Sequence, residues 1–296
     1  MPQLARTAAI ARALEAVEAR IDVQAADASV SMPEQREQLR QAGRITVSFH
    51  PDRLDRRGLT TAEGLLVDNG FLPQWVTGAS SGSRSAMPGG LRATWEEAQF
   101  AVDADVEPAH RPVYGALDLL HHRHGGSPAF GSCYLVLHDH VRDRCTLSVG
   151  DSHLAPDQVG TFRHSEAILH GLFEQAESGR LLGQDLATDD LQAVLAGHGR
   201  DAPRRTLEHY VEAQVHGGVN LEDIAAIVVD PSFSSSPAAE HLEWAAAAAD
   251  AQLEWHPGTV IAARELLSHP EAIAWSTTTT TSVSYTHLTL PTIYSV

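Results

Sequence analysis

The period of apolar and polar positions changes several times along the 296 residues, and each change marks an element. In residues 1–42, Ile10, Leu14, Val17 and Ile21 recur at helical spacing. A second short helix is predicted from Met32 to Gln41, with Pro33 suited to its first turn. Residues 44–49 (R-I-T-V-S-F) read as a strand stopped by Pro51, which sets His50 and Arg53 at the mouth of a sheet. A helix capped by Thr60 or Thr61 runs to Asp68. Residues 71–77 (F-L-P-Q-W-V-T) read as a second extended piece entering the loop G-A-S-S-G-S (78–83). A short helix follows over 94–100. Residues 131–137 and 144–149 read as strands joined by a polar link, expected to form a hairpin or an adjacent antiparallel pair. The pattern of 164–199 is helical, with Ile168, Leu169, Leu172 and Phe173 as its apolar stripe.

The stretch Y-V-E-A-Q-V-H-G-G-V (210–219) organises the rest. Its valines favour extended backbone, Gly217 and Gly218 stop it, and Glu212, Gln214 and His216 alternate onto one face. Such a polar face fits either an edge strand turned to water or the floor of a cleft. An apolar strand over 222–230, an alanine-rich helix over 238–251 and a last strand over 253–257 complete the pattern. Helices first, then short strands broken by loops and helices, predict an α+β fold with a largely antiparallel sheet behind an N-terminal helical lead-in. The expected organisation is a lead-in over 1–42 and one domain over 43–275.

Composition narrows the function classes. Lys and Arg total 21 against 38 Asp and Glu, a net charge of -17 at pH 7. That surface repels phosphate backbones and anionic lipid, so nucleic acid and membrane are not expected partners. Two cysteines, Cys133 and Cys145, make no disulfide framework and point to a reducing compartment. No stretch has the length of a membrane span and no Sec-type signal is read at the N-terminus, so the expected location is cytoplasmic or reached by another export route. Seventeen histidines, densest at His121, His122 and His124, follow no H-E-x-x-H or C-x-x-C spacing, and no metal site is expected.

Residues 276–296 differ in character. A threonine tract leads into V-S-Y-T-H-L-T-L-P-T (283–292), which resembles the in-frame translation of a transposon end and sequencing adapter. The segment is read as not native, with the natural C-terminus lying beyond the chain.

An ordered set of motifs carries a resemblance: F-H-P-D-R (49–53), T-G-A-S-S-G (77–82), R-P-V-Y-G-A-L (111–117), F-G-S-C-Y (130–134), C-T-L-S-V-G-D-S-H (145–153) and E-A-Q-V-H-G (212–217). Together they resemble a bacterial domain-of-unknown-function family, number 3626, over about residues 40–260. That family is similar to effector ADP-ribosyltransferases that modify ubiquitin on threonine. The resemblance implies a split, largely antiparallel sheet and a transfer of ADP-ribose from NAD to a protein hydroxyl, with ubiquitin as the implied acceptor. It implies that Arg53 and His50, with Thr77, Gly78 and Ser80, bind NAD, and that Glu212 and Gln214 carry the chemistry. A carboxylate stabilises the cation formed when the nicotinamide–ribose bond breaks, while an Arg holds the pyrophosphate. The pattern departs from the Glu-x-Glu of many such toxins, since Gln214 stands second, and Thr77-Gly-Ala-Ser80 replaces their Ser-Thr-Ser element. Two other readings stay open: a catalytically silent relative that binds a protein partner in the same cleft, and a metal-dependent hydrolase using the His-rich loops.

Overall fold

The computed structural model describes residues 2–25, 32–79, 86–199, 204–207 and 209–258. Ser80 and the adapter-like segment 276–296 lie outside them. Helices α1 (Pro2–Ala25) and α2 (Pro33–Ala42) precede β1 (Arg44–Phe49), α3 (Thr61–Val67), β2 (Gly70–Phe71), α4 (Gln74–Thr77) and α5 (Leu91–Phe100). Then come β3 (Val113–Asp118), β4 (Cys133–Leu137), β5 (Cys145–Val149), β6 (Val159–Thr161), α6 (Glu166–Glu177) and α7 (Thr188–Leu195). The chain continues through β7 (Val211–Val215), β8 (Val219–Asn220), β9 (Ile224–Val229), α8 (Pro237–Ala249) and β10 (Gln252–Trp255).

The predicted α+β class holds. Eight strands form one sheet in the order β10-β9-β4-β1-β3-β7-β5-β6, and β2 pairs with β8 in a small second sheet. All pairings are antiparallel except that of β10 with β9. The main apolar core joins Val47, Leu117, Leu135, Leu147, Val215 and Ile227 of the sheet to Ile168, Leu172 and Leu242 of α6 and α8. A second cluster joins Ala13 and Val17 of α1 to Phe100, Val102 and Val159, so the N-terminal helix covers the β6 end of the sheet and rests on α5. Arg6 fastens that helix to the turn after β7, its Nε donating to the Gly217 carbonyl at 2.8 Å.

Strand β7 lies between β3 and β5 with all five residues buried, so it is an interior strand and not an edge facing water. The expected pairing of 131–137 with 144–149 does not form. Strand β4 has β1 on one side and β9 on the other, leaving no free edge. The 3-10 segment Asp139–Arg144 carries the chain across to β7, and β5 pairs there. Cys133 and Cys145 are therefore on separated strands, both buried and unbridged. The helix after β1 is capped as expected: Thr60 Oγ1 accepts from the Glu63 N–H, and Glu63 Oε2 accepts from the Thr60 N–H.

Residues 71–77 also differ from expectation, because extended backbone ends at Phe71 and Gln74–Thr77 is one helical turn. Pro73 starts it, Gly78 closes it in the left-handed region at φ 70°, and Trp75 is pinned by its indole N–H to Glu96 at 2.9 Å. Thr77 therefore stands at a helix end and not on a strand. Among the described residues, no helix is long and apolar enough to cross a membrane.

Candidate active site

The face of β7 bearing Glu212, Gln214 and His216 is completed by its neighbours through register. Ser148 of β5 stands opposite Glu212, Thr146 stands opposite Gln214, and Tyr114 of β3 pairs with Gln214 from the other side. Cross-strand partners on one face touch, and here they form a directed chain. Thr146 Oγ1 donates to Gln214 Oε1 at 2.7 Å, which turns the Gln214 amide nitrogen toward Ser148 Oγ (3.1 Å) and Glu212 Oε1 (2.8 Å). With the Thr146 proton so used, the His216 Nε2–H donates to Thr146 Oγ1 at 2.9 Å. Burial, and then the charge of Arg144, lower the His216 pKa to about 3, so its ring is neutral.

At the other end of the chain sits the Glu212 carboxylate. Its Oε1 also accepts the Ser152 backbone N–H (3.3 Å), and its Oε2 accepts the Tyr210 hydroxyl (3.3 Å). No cation is bonded to it among these partners. Burial first, then the charge of Asp151, raise its pKa to about 7. The Tyr210 hydroxyl is pushed up as well, by burial and by both carboxylates. Asp151 is delivered by Gly150, which bends the end of β5 at φ 83°. Its Oδ1 accepts the His153 backbone N–H at 3.1 Å and lies beside the His153 ring.

This site opens into a cleft of about 750 Å³, a size suited to a nucleotide-sized ligand. His50, Arg53, Thr77, Arg92, Trp95, Tyr114, Phe130, Asp151, His153, Tyr210 and Glu212 all line it. The structure thus brings together four of the residues picked from sequence: His50, Arg53, Thr77 and Glu212. Gly78 caps its helix against the Arg56 side chain and does not line the cleft. Gln214 is 0 % exposed and sits beneath the carboxylate. Its amide is spent on Thr146, Ser148 and Glu212, so it orients Glu212 and does not itself face the cleft. Burial, and then Arg53, lower the pKa of His50, which enters the cleft as a neutral ring.

Sequence reading missed Asp151, Tyr210 and the wall supplied by α5. Asp151 lay inside a motif already singled out, C-T-L-S-V-G-D-S-H. On α5, Arg92, Glu96 and Gln99 fall at i, i+4 and i+7 and are all buried, a polar stripe on an inward face that could have marked them. Glu96 accepts from the Trp75 indole (2.9 Å), Arg111 Nη1 (2.9 Å) and the Tyr114 hydroxyl (3.0 Å). Gln99 Nε2 donates to the Ser152 carbonyl at 2.9 Å, which ties α5 to the turn that contacts Glu212. The histidine-rich loops form no site of this kind. His122, His124 and His256 pack edge to face, and no group of metal-ligating side chains occurs among the described residues.

The raised Glu212 pKa has a consequence for stability with a definite sign. Because the folded state holds this proton more tightly than the unfolded chain, the associated stability is present in full below the ordinary Glu range. It is lost as pH rises through about 7. Glu212→Gln carries no such charge and keeps the hydrogen-bonding shape. It is expected to be more stable than the parent at pH 8, by on the order of 3 kcal/mol, with the gap closing at pH 4.5. Urea unfolding midpoints at both pH values measure this, and a gap independent of pH would contradict it.

Over residues 44–271 the sequence matches the family described as "Protein of unknown function (DUF3626)". The chain is 29% identical over 172 residues to the "Gene 2 protein" of Mycobacterium phage D29, a match covering 57% of this chain and 61% of that protein. It is 30% identical over 168 residues to the "Gene 2 protein" of Mycobacterium phage L5, covering 56% and 60%. The chain spans about three fifths of the length of these curated relatives. The family match begins at β1, leaving α1 and α2 outside it, and takes in the whole cleft from His50 to Glu212: the chain belongs to the DUF3626 family.

Proposed function

We propose that the cleft is the active site of an ADP-ribosyltransferase that moves ADP-ribose from NAD to a protein hydroxyl, with threonine of ubiquitin as the acceptor that the motif resemblance suggests. One observation carries the reading. A buried carboxylate with no bonded cation, Glu212, is held rigid by Gln214, Ser152 and Tyr210 in a cleft that three arginines and several aromatic rings also line. A fixed anion with no counter-ion is poorly placed for stability and well placed to stabilise a cation that forms in front of it.

The reaction would run as follows. The bond from the ribose anomeric carbon to nicotinamide breaks, and its electron pair leaves with the ring nitrogen, which becomes neutral. Positive charge develops on the ribose, where the Glu212 carboxylate opposes it and gains interaction energy in the transition state over the ground state. The acceptor hydroxyl oxygen then bonds to the anomeric carbon and releases its proton. Asp151, a third exposed and beside Glu212 in the cleft, is the base placed to take it. Arg53 contributes charge to the NAD phosphates, and His50, kept neutral, contributes a hydrogen-bonding ring.

The pH dependence tests the assignment. Only ionised Glu212 opposes a cation, and burial, then the charge of Asp151, raise the Glu212 pKa to about 7. The expected kcat/KM for NAD therefore rises about tenfold per pH unit below 7 and levels above it. Glu212→Gln, assayed by nicotinamide release, should lose that rise along with most of its rate. A parent profile flat from pH 5 to 8 would remove Glu212 from the proposed role.

A further inference from the structure

We propose that Arg92 is the anchor for the diphosphate of a nucleotide bound in the cleft. Resting on the reading of the cleft as an NAD site, the inference adds a group that no sequence motif pointed to. Arg92 is 8 % exposed and lines the cleft, yet its buried Nε has no hydrogen-bond partner among the described residues. Its Nη1 forms an ion pair with Glu96 Oε1 at 3.6 Å. That carboxylate is already occupied by Trp75, Arg111 and Tyr114. Two guanidiniums thus share one buried carboxylate at the wall of the cleft.

Three further features point the same way. The Arg92 guanidinium packs over the Trp95 ring at 4.7 Å and the Tyr114 ring at 4.9 Å. Stacked in this way, it keeps its in-plane N–H donors for a planar or tetrahedral oxyanion. The Trp95 indole N–H, buried beside it, has the Tyr114 hydroxyl as its acceptor but without well-formed geometry, so this donor is only weakly satisfied. Arg92 also stands in the first turn of α5, whose N-cap is Gly90, with no side-chain cap and no acidic residue in that turn. A positive side chain at the positive end of a helix is unfavourable alone and becomes favourable when an anion joins both. Buried donors of this kind call for an acceptor-rich ligand. A diphosphate supplies several acceptor oxygens and charge enough for Arg92 and for Arg53, which lines the same cleft.

The experiment is calorimetric binding of ADP, ADP-ribose and adenosine to the full chain and to Arg92→Gln, with folding checked by circular dichroism. The parent should bind ADP and ADP-ribose more tightly than adenosine. Arg92→Gln should weaken ADP and ADP-ribose roughly 10- to 100-fold and leave adenosine unchanged. Should that variant not fold, Arg92→Lys, which keeps the charge and loses the planar fork, carries the same comparison, with a smaller loss expected for ADP alone. Affinity for ADP equal to that of the parent in the folded variant overturns the inference, as does a parent that binds adenosine as well as ADP. Nicotinamide release is measured in parallel. Arg92-dependent ADP binding without release leaves this inference standing and removes the transferase reading. Release with Arg92-independent ADP binding does the reverse.

Discussion

Glu96→Ala is expected to destabilise the chain by about 3–5 kcal/mol, the largest stability loss anticipated for any single substitution near the cleft. Glu96 is completely buried and serves as the common acceptor for the Trp75 indole, Arg111 and the Tyr114 hydroxyl. Burial pushes its pKa up, against the pull of Arg92 and Arg111, so the carboxylate is not placed there for its own solvation. Its removal strands two buried guanidiniums. Arg111, stacked 3.9 Å over Trp75, would keep only the Asp103 carbonyl at 2.7 Å. Glu96→Gln preserves an acceptor and loses the charge, so its loss should be smaller. Urea unfolding at pH 7 measures both variants, and a loss below about 1 kcal/mol for Glu96→Ala would show that solvent reaches the cluster.

Much of the fold was legible because local signals agreed with the tertiary outcome. The strand of residues 44–49 ended where Pro51 stops it, and Thr60 capped the next helix through its pairing with Glu63. The polar period of two on β7 put Glu212, Gln214 and His216 on one face, and that face is buried because an interior strand carries polar residues only where partners satisfy them, as Thr146, Ser148 and Ser152 do here. What failed was non-local. Nothing between residues 137 and 145 announces that β5 leaves β4 for β7, since that choice depends on β9, placed much later in the chain, taking the free edge of β4. The run 71–77 reads as extended by its β-branched and aromatic residues, but the Trp75–Glu96 bond and the left-handed Gly78 decide for a helical turn. Gln214 looked like half of a catalytic pair; the hydroxyls from β5 that consume its amide lie 66 and 68 residues away in sequence. Arg92 was invisible because the predicted helix began at 94 and left it in the loop before, whereas the observed helix starts at Leu91.

Glu212→Gln is expected to lower the rate of nicotinamide release by about 100- to 1000-fold while leaving NAD affinity near that of the parent. The substitution is close to isosteric. Gln214, Ser152 and Tyr210 retain partners, since an amide oxygen can accept the first two bonds and the amide nitrogen can donate to the tyrosine oxygen. Only the charge is removed, and in the proposed reaction that charge matters most when the bond to nicotinamide is nearly broken. Gln214→Ala should give a smaller loss, because it frees the carboxylate to rotate without deleting it.

The most direct measurement of the central claim is single-turnover release of nicotinamide from NAD by the full chain at pH 8, with and without ubiquitin, beside the Glu212→Gln variant. The cleft as described predicts release by the parent, ADP-ribose recovered on an acceptor hydroxyl when ubiquitin is present, and a signal reduced at least a hundredfold in the variant. A parent that binds NAD and releases no nicotinamide under either condition would contradict it, and would leave the cleft as a site for holding a partner.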